Sequence, residues 1–178
     1  MLKPPNMLET PRLLLRLPVW EDSATIFQKY AQDPQITKYL IWRPHETVQV
    51  TREFIRCCMQ CWQDGTAFPW VVVRQRDQEL VGMLELRIDA FRADLGYVIA
   101  RDYWGHGYAT EITKSVIAWA LRQEQIYRVW ATCDIENIAS ARVLEKSGMQ
   151  REGILRRYII HSNISDEPRD SYCYAVVK

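Results

Sequence analysis

Between two strand-like runs, residues 95–100 and 129–133, lie a glycine-rich turn, Trp104-Gly105-His106-Gly107-Tyr108-Ala109-Thr110-Glu111, and an amphipathic segment reaching about residue 123. Strand, tight turn, helix and strand make a βαβ unit, and the remaining chain must be arranged around it. Two glycines let the backbone approach a ligand with no Cβ in the way. The helix that follows turns unpaired N–H groups and its positive dipole end toward the same place. An anion fits there, a phosphate above all.

Two familiar phosphate turns fail on spacing. A triphosphate loop wants Lys-Ser or Lys-Thr after its last glycine, whereas Gly107 is followed by Tyr108-Ala109. A dinucleotide fingerprint wants a third small residue three places after the second glycine, where Thr110 stands, and an acidic ribose ligand about twenty residues on, which is missing.

Elsewhere the pattern predicts a mixed sheet carrying helices. Leu13, Leu15 and Leu17 alternate with Arg12, Leu14 and Arg16, a strand with one apolar face bracketed by Pro11 and Pro18. Asp22 and Ser23 can cap a helix over residues 24–31, which Asp33-Pro34 breaks, and a short helix is expected at about residues 35–40. Thr47 can cap a long helix in which Val48, Thr51, Ile55, Cys58 and Trp62 recur at three- and four-residue spacing until Asp64-Gly65. Residues 68–74, 80–88 and 95–100 read as an antiparallel meander, with turns at 76–79 and 89–93. Asn137 caps a helix over residues 138–146, with Gly148 just past its end, and strands are expected at 151–160 and 172–177.

A chain of 178 residues with no repeat or linker suits one domain, 1–178, able to bury roughly two thirds of its unfolded surface. Its 23 basic and 22 acidic residues leave a net charge of +1, no field for nucleic acid or an anionic membrane. Five cysteines without framework spacing suit free thiols in a reducing compartment. Neither a membrane-length apolar run nor a signal-peptide core is present, so a cytoplasmic location is expected.

The run Leu95-Gly96-Tyr97-Val98-Ile99 leading into Arg101 and the glycine turn, with Asn137-Ile138-Ala139-Ser140-Ala141-Arg142-Val143-Leu144-Glu145-Lys146-Ser147-Gly148-Met149 downstream, resembles the GNAT superfamily of acetyl-CoA-dependent N-acetyltransferases. Within it the chain is most similar to ribosomal-protein alanine or serine N-acetyltransferases. The resemblance includes the opening Leu8-Glu9-Thr10-Pro11-Arg12 and the close Arg169-Asp170-Ser171-Tyr172. It implies an α/β GNAT fold, a mixed and mostly antiparallel sheet splayed at the acetyl-CoA site and flanked by helices. The family's pyrophosphate signature, Gln/Arg-x-x-Gly-x-Gly/Ala, falls here on Trp104, Gly107 and Ala109. Backbone donors of Gly105, His106, Gly107, Tyr108, Ala109 and Thr110 are then the expected phosphate ligands. The main chain of Val98, Ile99 and Ala100 would hold pantetheine as a strand is held at a sheet edge.

The resemblance also places Asn137 against pantetheine and Ser140 near the thioester sulfur, where a hydrogen bond would help the thiolate leave; both residue types also cap helices. Asp94, where relatives have Glu, and Glu85 are the candidate bases, a solvated or capping role being the alternative for each. An α-amine titrates at about 7.7 to 8.0, so deprotonation at pH 7 costs about 1 kcal/mol, against roughly 4 to 5 for a lysine. A weak base therefore suffices for an α-amine. The acid tyrosine of another GNAT branch would fall at Leu144, which excludes that mechanism.

The implied activity is acetyl transfer from acetyl-CoA to a primary amine by direct attack, foremost the N-terminal α-amine of a protein. A small amine acceptor (polyamine, amino acid or aminoglycoside) and a non-catalytic acyl-CoA-binding module are the alternatives. The expected state is a monomer or homodimer without metal, nucleic acid or membrane. Cys57, Cys58 and Cys61 are read as core packing, His45 and His161 have no assignable partner, and Trp42 near Pro44 is expected to shape how the acceptor enters.

Overall fold

The computed structural model describes residues 2–178. Eight strands, β1 (Met7–Glu9), β2 (Leu13–Arg16), β3 (Phe68–Arg74), β4 (Glu79–Asp89), β5 (Arg92–Ile99), β6 (Arg128–Asp134), β7 (Gln150–Ile159) and β8 (Arg169–Val177), form one sheet in the order β1-β2-β3-β4-β5-β6-β8-β7. Every neighbouring pair is antiparallel except β5 and β6, whose connection runs through helix α4. The five helices are α1 (Asp22–Ile26), α2 (Pro34–Thr37), α3 (Val48–Asp64), α4 (Tyr108–Arg122) and α5 (Ile138–Lys146), and α1 runs on into a π-helical turn, Phe27–Ala31.

Alternation along the strands sorts the core onto two faces. Leu95, Tyr97 and Ile99 of β5 and Val129, Ala131 and Cys133 of β6 pack with Ile112, Val116 and Leu144 of α4 and α5. Val98 and Ala100, with Val71, Val73 and Met83, pack on the opposite face with Ile26, Tyr30 and Ile55 of the α1–α3 layer. Ile112, Val116, Ile117 and Ala120 give α4 the stripe that seats it, and each large apolar side chain buried there contributes roughly 1.5–3 kcal/mol. By the same period Trp130, Thr132 and Asp134 point away from α4 and α5, toward the α1–α3 side.

The sheet opens in its middle. β5 and β6 pair only through Arg92↔Arg128, Ala93↔Val129 and Asp94↔Trp130. Beyond that point β5 stays with β4 as far as Gly82↔Ile99, and β6 stays with β8 as far as Asp134↔Ser171. Each strand keeps its outer partner and loses the inner one, so the two edges diverge into a gap. An irregularity lies close by: Val72 faces Gly82 and Val73 faces Leu80, leaving Val81 as an extra residue whose carbonyl accepts the Ala100 amide at 2.9 Å. Gly82 has no room for a side chain, because a Cβ there would lie 2.1 Å from the Val98 carbonyl oxygen.

Several local expectations change. β1 was not expected; its three residues are too few to show alternation. Asp33-Pro34 ends one helix and starts the next, since the Asp33 carboxylate accepts the Gln35 amide at 2.9 Å and Pro34 takes the first helical position. Asp22 caps nothing: its carboxylate binds Arg16 at 2.7 and 2.8 Å and the Val19 amide at 2.8 Å. Of the three cysteines on α3 only Cys58 is in the core, while Cys57 is exposed and Cys61 half-buried. Among the described residues, no helix is long and apolar enough to cross a membrane.

Candidate active site

The glycine turn is built as its spacing demands. Gly105 and Gly107 adopt φ of 76° and 78°, the left-handed region closed to most side chains. A short 3-10 turn, Arg101–Tyr103, leads in, and the Trp104 indole donates to the Ile99 carbonyl at 2.8 Å, folding the turn back onto the end of β5. No side chain caps α4, and its first residues Tyr108, Ala109 and Thr110 line the gap. Their amides are the ones a helix start leaves without internal partners.

The turn is braced from the connection between β1 and β2. Arg12 binds Glu111 through Nε at 2.7 Å and donates to the His106 carbonyl at 3.0 Å, and Thr10 donates to Glu111 at 2.6 Å. Burial works to raise the Glu111 pKa, but these bonds hold it below the usual carboxylate range. His106 stacks on Tyr108 with its Nδ1 near the Trp104 carbonyl and faces solvent.

From this turn a cavity of about 1050 Å³ runs along the gap between β5 and β6. Val98, Ile99, Trp104, Gly105, Gly107, Asn137 and Ser140 line it, whereas Ala100 and His106 do not. The Ala100 amide is bonded to Val81 on β4, and of the expected trio only Val98 and Ile99 line the cavity. Asn137 caps α5 by accepting the Ser140 amide at 3.1 Å. The Ser140 hydroxyl is not a cap: it shares a 2.9 Å hydrogen bond with the Tyr97 hydroxyl across the gap. Burial raises the Tyr97 pKa, so its phenol keeps its proton, and burial pushes the neighbouring Cys133 thiol up to about 11. Leu144 is core.

Glu85 and Asp94 face the α1–α3 side, and neither is a free carboxylate. Arg87 sits between them, pairing with Glu85 and binding Asp94 through Nε at 2.8 Å. On this side Trp42, His45 and Phe54 stack in one cluster, the His45 ring 2.8 Å from the Thr51 hydroxyl. The Asn163 amide donates to the carbonyls of Thr37 at 2.7 Å and Trp42 at 2.8 Å, tying the loop after β7 to the loop after α2.

Three buried groups of the cavity have no hydrogen-bond partner among the described residues: the Tyr30 hydroxyl, the Ser171 hydroxyl and both ring nitrogens of His161. His161 lies 3.9 Å from Asp134, a fully buried carboxylate held by Arg169 at 2.6 Å and by the Glu136 amide at 2.9 Å. Sequence reasoning gives Tyr97 no side-chain role and His161 no partner. The alternation that puts Leu95, Tyr97 and Ile99 on one face held a signal for the first. Nothing local announces the second, because its neighbours come from β6 and β8.

The chain matches the model of the acetyltransferase (GNAT) domain over residues 12–150. It is 30% identical over 175 residues to the protein called Uncharacterized N-acetyltransferase YoaA of Bacillus subtilis (strain 168), covering 97% of both chains. A crystal structure of a GNAT-family acetyltransferase from Bacillus anthracis superposes with a TM-score of 0.84 at 28% identity, covering 96% of this chain and 98% of that one. RimL, a ribosomal α-N-protein acetyltransferase solved in complex with coenzyme A, has the same fold at 20% identity, with a TM-score of 0.84 and coverage of 96% and 97%.

Proposed function

Because the chain belongs to the acetyltransferase (GNAT) family, we propose that this acetyltransferase draws on acetyl-CoA and delivers the acetyl group to the N-terminal α-amine of a protein. The amine attacks the thioester directly, with no acyl-enzyme intermediate. The observation that carries this reading is the opening of the β5–β6 pair after three residues, with the uncapped start of α4 at its mouth. The pyrophosphate lies on the amides from Gly105 to Thr110, and pantetheine runs along the inner edge of β5 at Val98 and Ile99. Arg142 and Lys146 of α5 add positive charge to the cavity wall.

The thioester sulfur then comes to rest by Tyr97 and Ser140. Expelling a thiolate is helped by a donor at the sulfur, and the hydrogen-bonded hydroxyl pair supplies one. The amine approaches from the other face, where Trp42 shapes the opening and Glu85 and Asp94 present carboxylates on either side of Arg87. That arrangement supports an acceptor with one cationic group over a polyamine, whose several charges call for unpaired carboxylates. RimL shares this fold and by name acts on protein α-amines, which favours the same acceptor class.

Thiol release from acetyl-CoA, measured against peptides beginning with Ala or Ser and against polyamines, amino acids and aminoglycosides, tests the acceptor. Turnover is expected with the peptides. Faster turnover of a small amine would replace the protein acceptor, and acetyl-CoA binding without release to any amine would leave only a binding module. In the same assay Tyr97→Phe and Ser140→Ala are each expected to lower kcat by about 10- to 100-fold with acetyl-CoA affinity unchanged. An unchanged kcat in both would remove the hydroxyl pair from the leaving-group step.

A further inference from the structure

We propose that His161 is the catalytic residue that takes the proton from the attacking amine, an inference that rests on the acetyl-transfer reading above. Its position carries the proposal. His161 follows β7 and sits against Asp134 at the end of β6. Asp134 is even with Trp130 and Thr132 and out of phase with Ala131 and Cys133, so it and His161 belong to the α1–α3 side of the sheet. Tyr97 and Ser140 stand on the other side of the same cavity. In direct transfer the amine approaches the thioester carbon over one face of the carbonyl plane, and His161 lies on the side of the cavity away from the Tyr97–Ser140 pair that holds the sulfur.

A buried imidazole normally satisfies both of its nitrogens, because an unmade hydrogen bond costs about 1–3 kcal/mol. His161 is only 5% exposed, and neither of its ring nitrogens has a partner among the described residues. Asp134 is at 3.9 Å, beyond hydrogen-bond reach, and its oxygens are taken up by Arg169 and the Glu136 amide. Tyr39 meets the ring edge-on at 6.4 Å and supplies no partner. The ring therefore lines the cavity beside the Leu40 backbone with neither nitrogen in a hydrogen bond of good geometry. Two more unpartnered groups accompany it there, Tyr30 on the α1 side and Ser171 directly across from Asp134. Together they mark where a polar substrate group belongs.

The charges around the ring fit proton uptake. Burial pushes the His161 imidazole below its ordinary value, the Asp134 carboxylate and the Leu40 backbone carbonyl oppose that shift, and Arg169 adds to it. The imidazole is therefore neutral at neutral pH and ready to accept. Once it is protonated, Asp134 at 3.9 Å stabilises the cation that forms. Glu85 and Asp94, spoken for by Arg87, leave His161 as the open base on this face. As the nitrogen–carbon bond forms, the imidazole takes the nitrogen's proton. The carbon–sulfur bond then breaks, the Tyr97–Ser140 pair donates a hydrogen bond to the departing thiolate, and the imidazolium releases its proton to water, from which the thiolate is protonated.

The test uses the full chain, acetyl-CoA and whichever peptide of the panel the wild type acetylates fastest. His161→Gln is expected to lower kcat/KM by about 100-fold while acetyl-CoA affinity by calorimetry stays the same. The acidic limb of the wild-type pH profile, set by the imidazole and the amine together, should shrink to that of the amine alone. In His161→Ala, added imidazole should restore part of the rate. Wild-type rate and limb in the Gln variant would overturn the proposal and leave the acetyltransferase reading standing. A slow variant with an unaltered limb and no rescue would also overturn it, making His161 a packing residue. A wild type that acetylates no amine at all would overturn both.

Discussion

Gly82→Ala is expected to cost the protein about 4 kcal/mol or more, enough to unfold a domain of ordinary stability. The added Cβ would stand 2.1 Å from the Val98 carbonyl oxygen and 3.0 Å from Ile99 Cα, both backbone atoms in a central strand. No rotamer change relieves that contact. β4 would have to part from β5 at the point where the Ala100 amide reaches back to Val81. Denaturant unfolding followed by circular dichroism measures the loss. A loss below 1 kcal/mol would mean that the two strands approach less closely than 2.1 Å implies.

The second large effect falls on binding. With Gly107→Glu, affinity for acetyl-CoA is expected to drop at least about 100-fold, equivalent to about 2.7 kcal/mol. Two causes combine. At φ of 78° any side chain is strained, costing roughly 1–2 kcal/mol unless the turn rearranges. A Cβ at Gly107 also points at the Arg12 guanidinium, 3.6 Å away, so the new carboxylate would compete with Glu111 for the brace and bring negative charge to the proposed phosphate site. Gly148→Ala is the control, because that glycine has φ of 93° at the far end of α5 and does not line the cavity. Calorimetry should show the control binding as the wild type does. Undiminished affinity in Gly107→Glu would move the pyrophosphate away from this turn.

What was legible beforehand follows the range of each interaction. The stripe of α3, the meander, the βαβ unit and the caps at Asn137 and Gly148 rest on residues within a turn or two of one another. The divergence of β5 from β6 had only the family resemblance behind it, because no side chain announces where a parallel pair stops. Among the site residues, the glycine turn stood out by its spacing and Ser140 by the family resemblance. The roles proposed for Glu85 and Asp94 looked alike in sequence, and their common partner Arg87 appears only once β4 and β5 are laid side by side, Arg87 opposite Asp94. The Tyr97–Ser140 pair joins a strand to a helix 43 residues away, and His161 meets Asp134 across separate strands. Such meetings are made by the sheet and have no local signature.

The opening in the sheet has a consequence for how firmly the molecule holds together. With three residue pairs joining β1–β5 to β6–β8, the sheet carries two inner edges besides its two outer ones. Unpaired strand edges are ordinarily points of weakness. In the proposed binding mode a ligand lying along the gap serves as the missing strand, so by mass action its binding would strengthen the whole fold, by about 2.7 kcal/mol at a concentration of one hundred times Kd. The same cleft that sets the chemistry makes the durability of this protein a function of how well supplied its surroundings are with ligand.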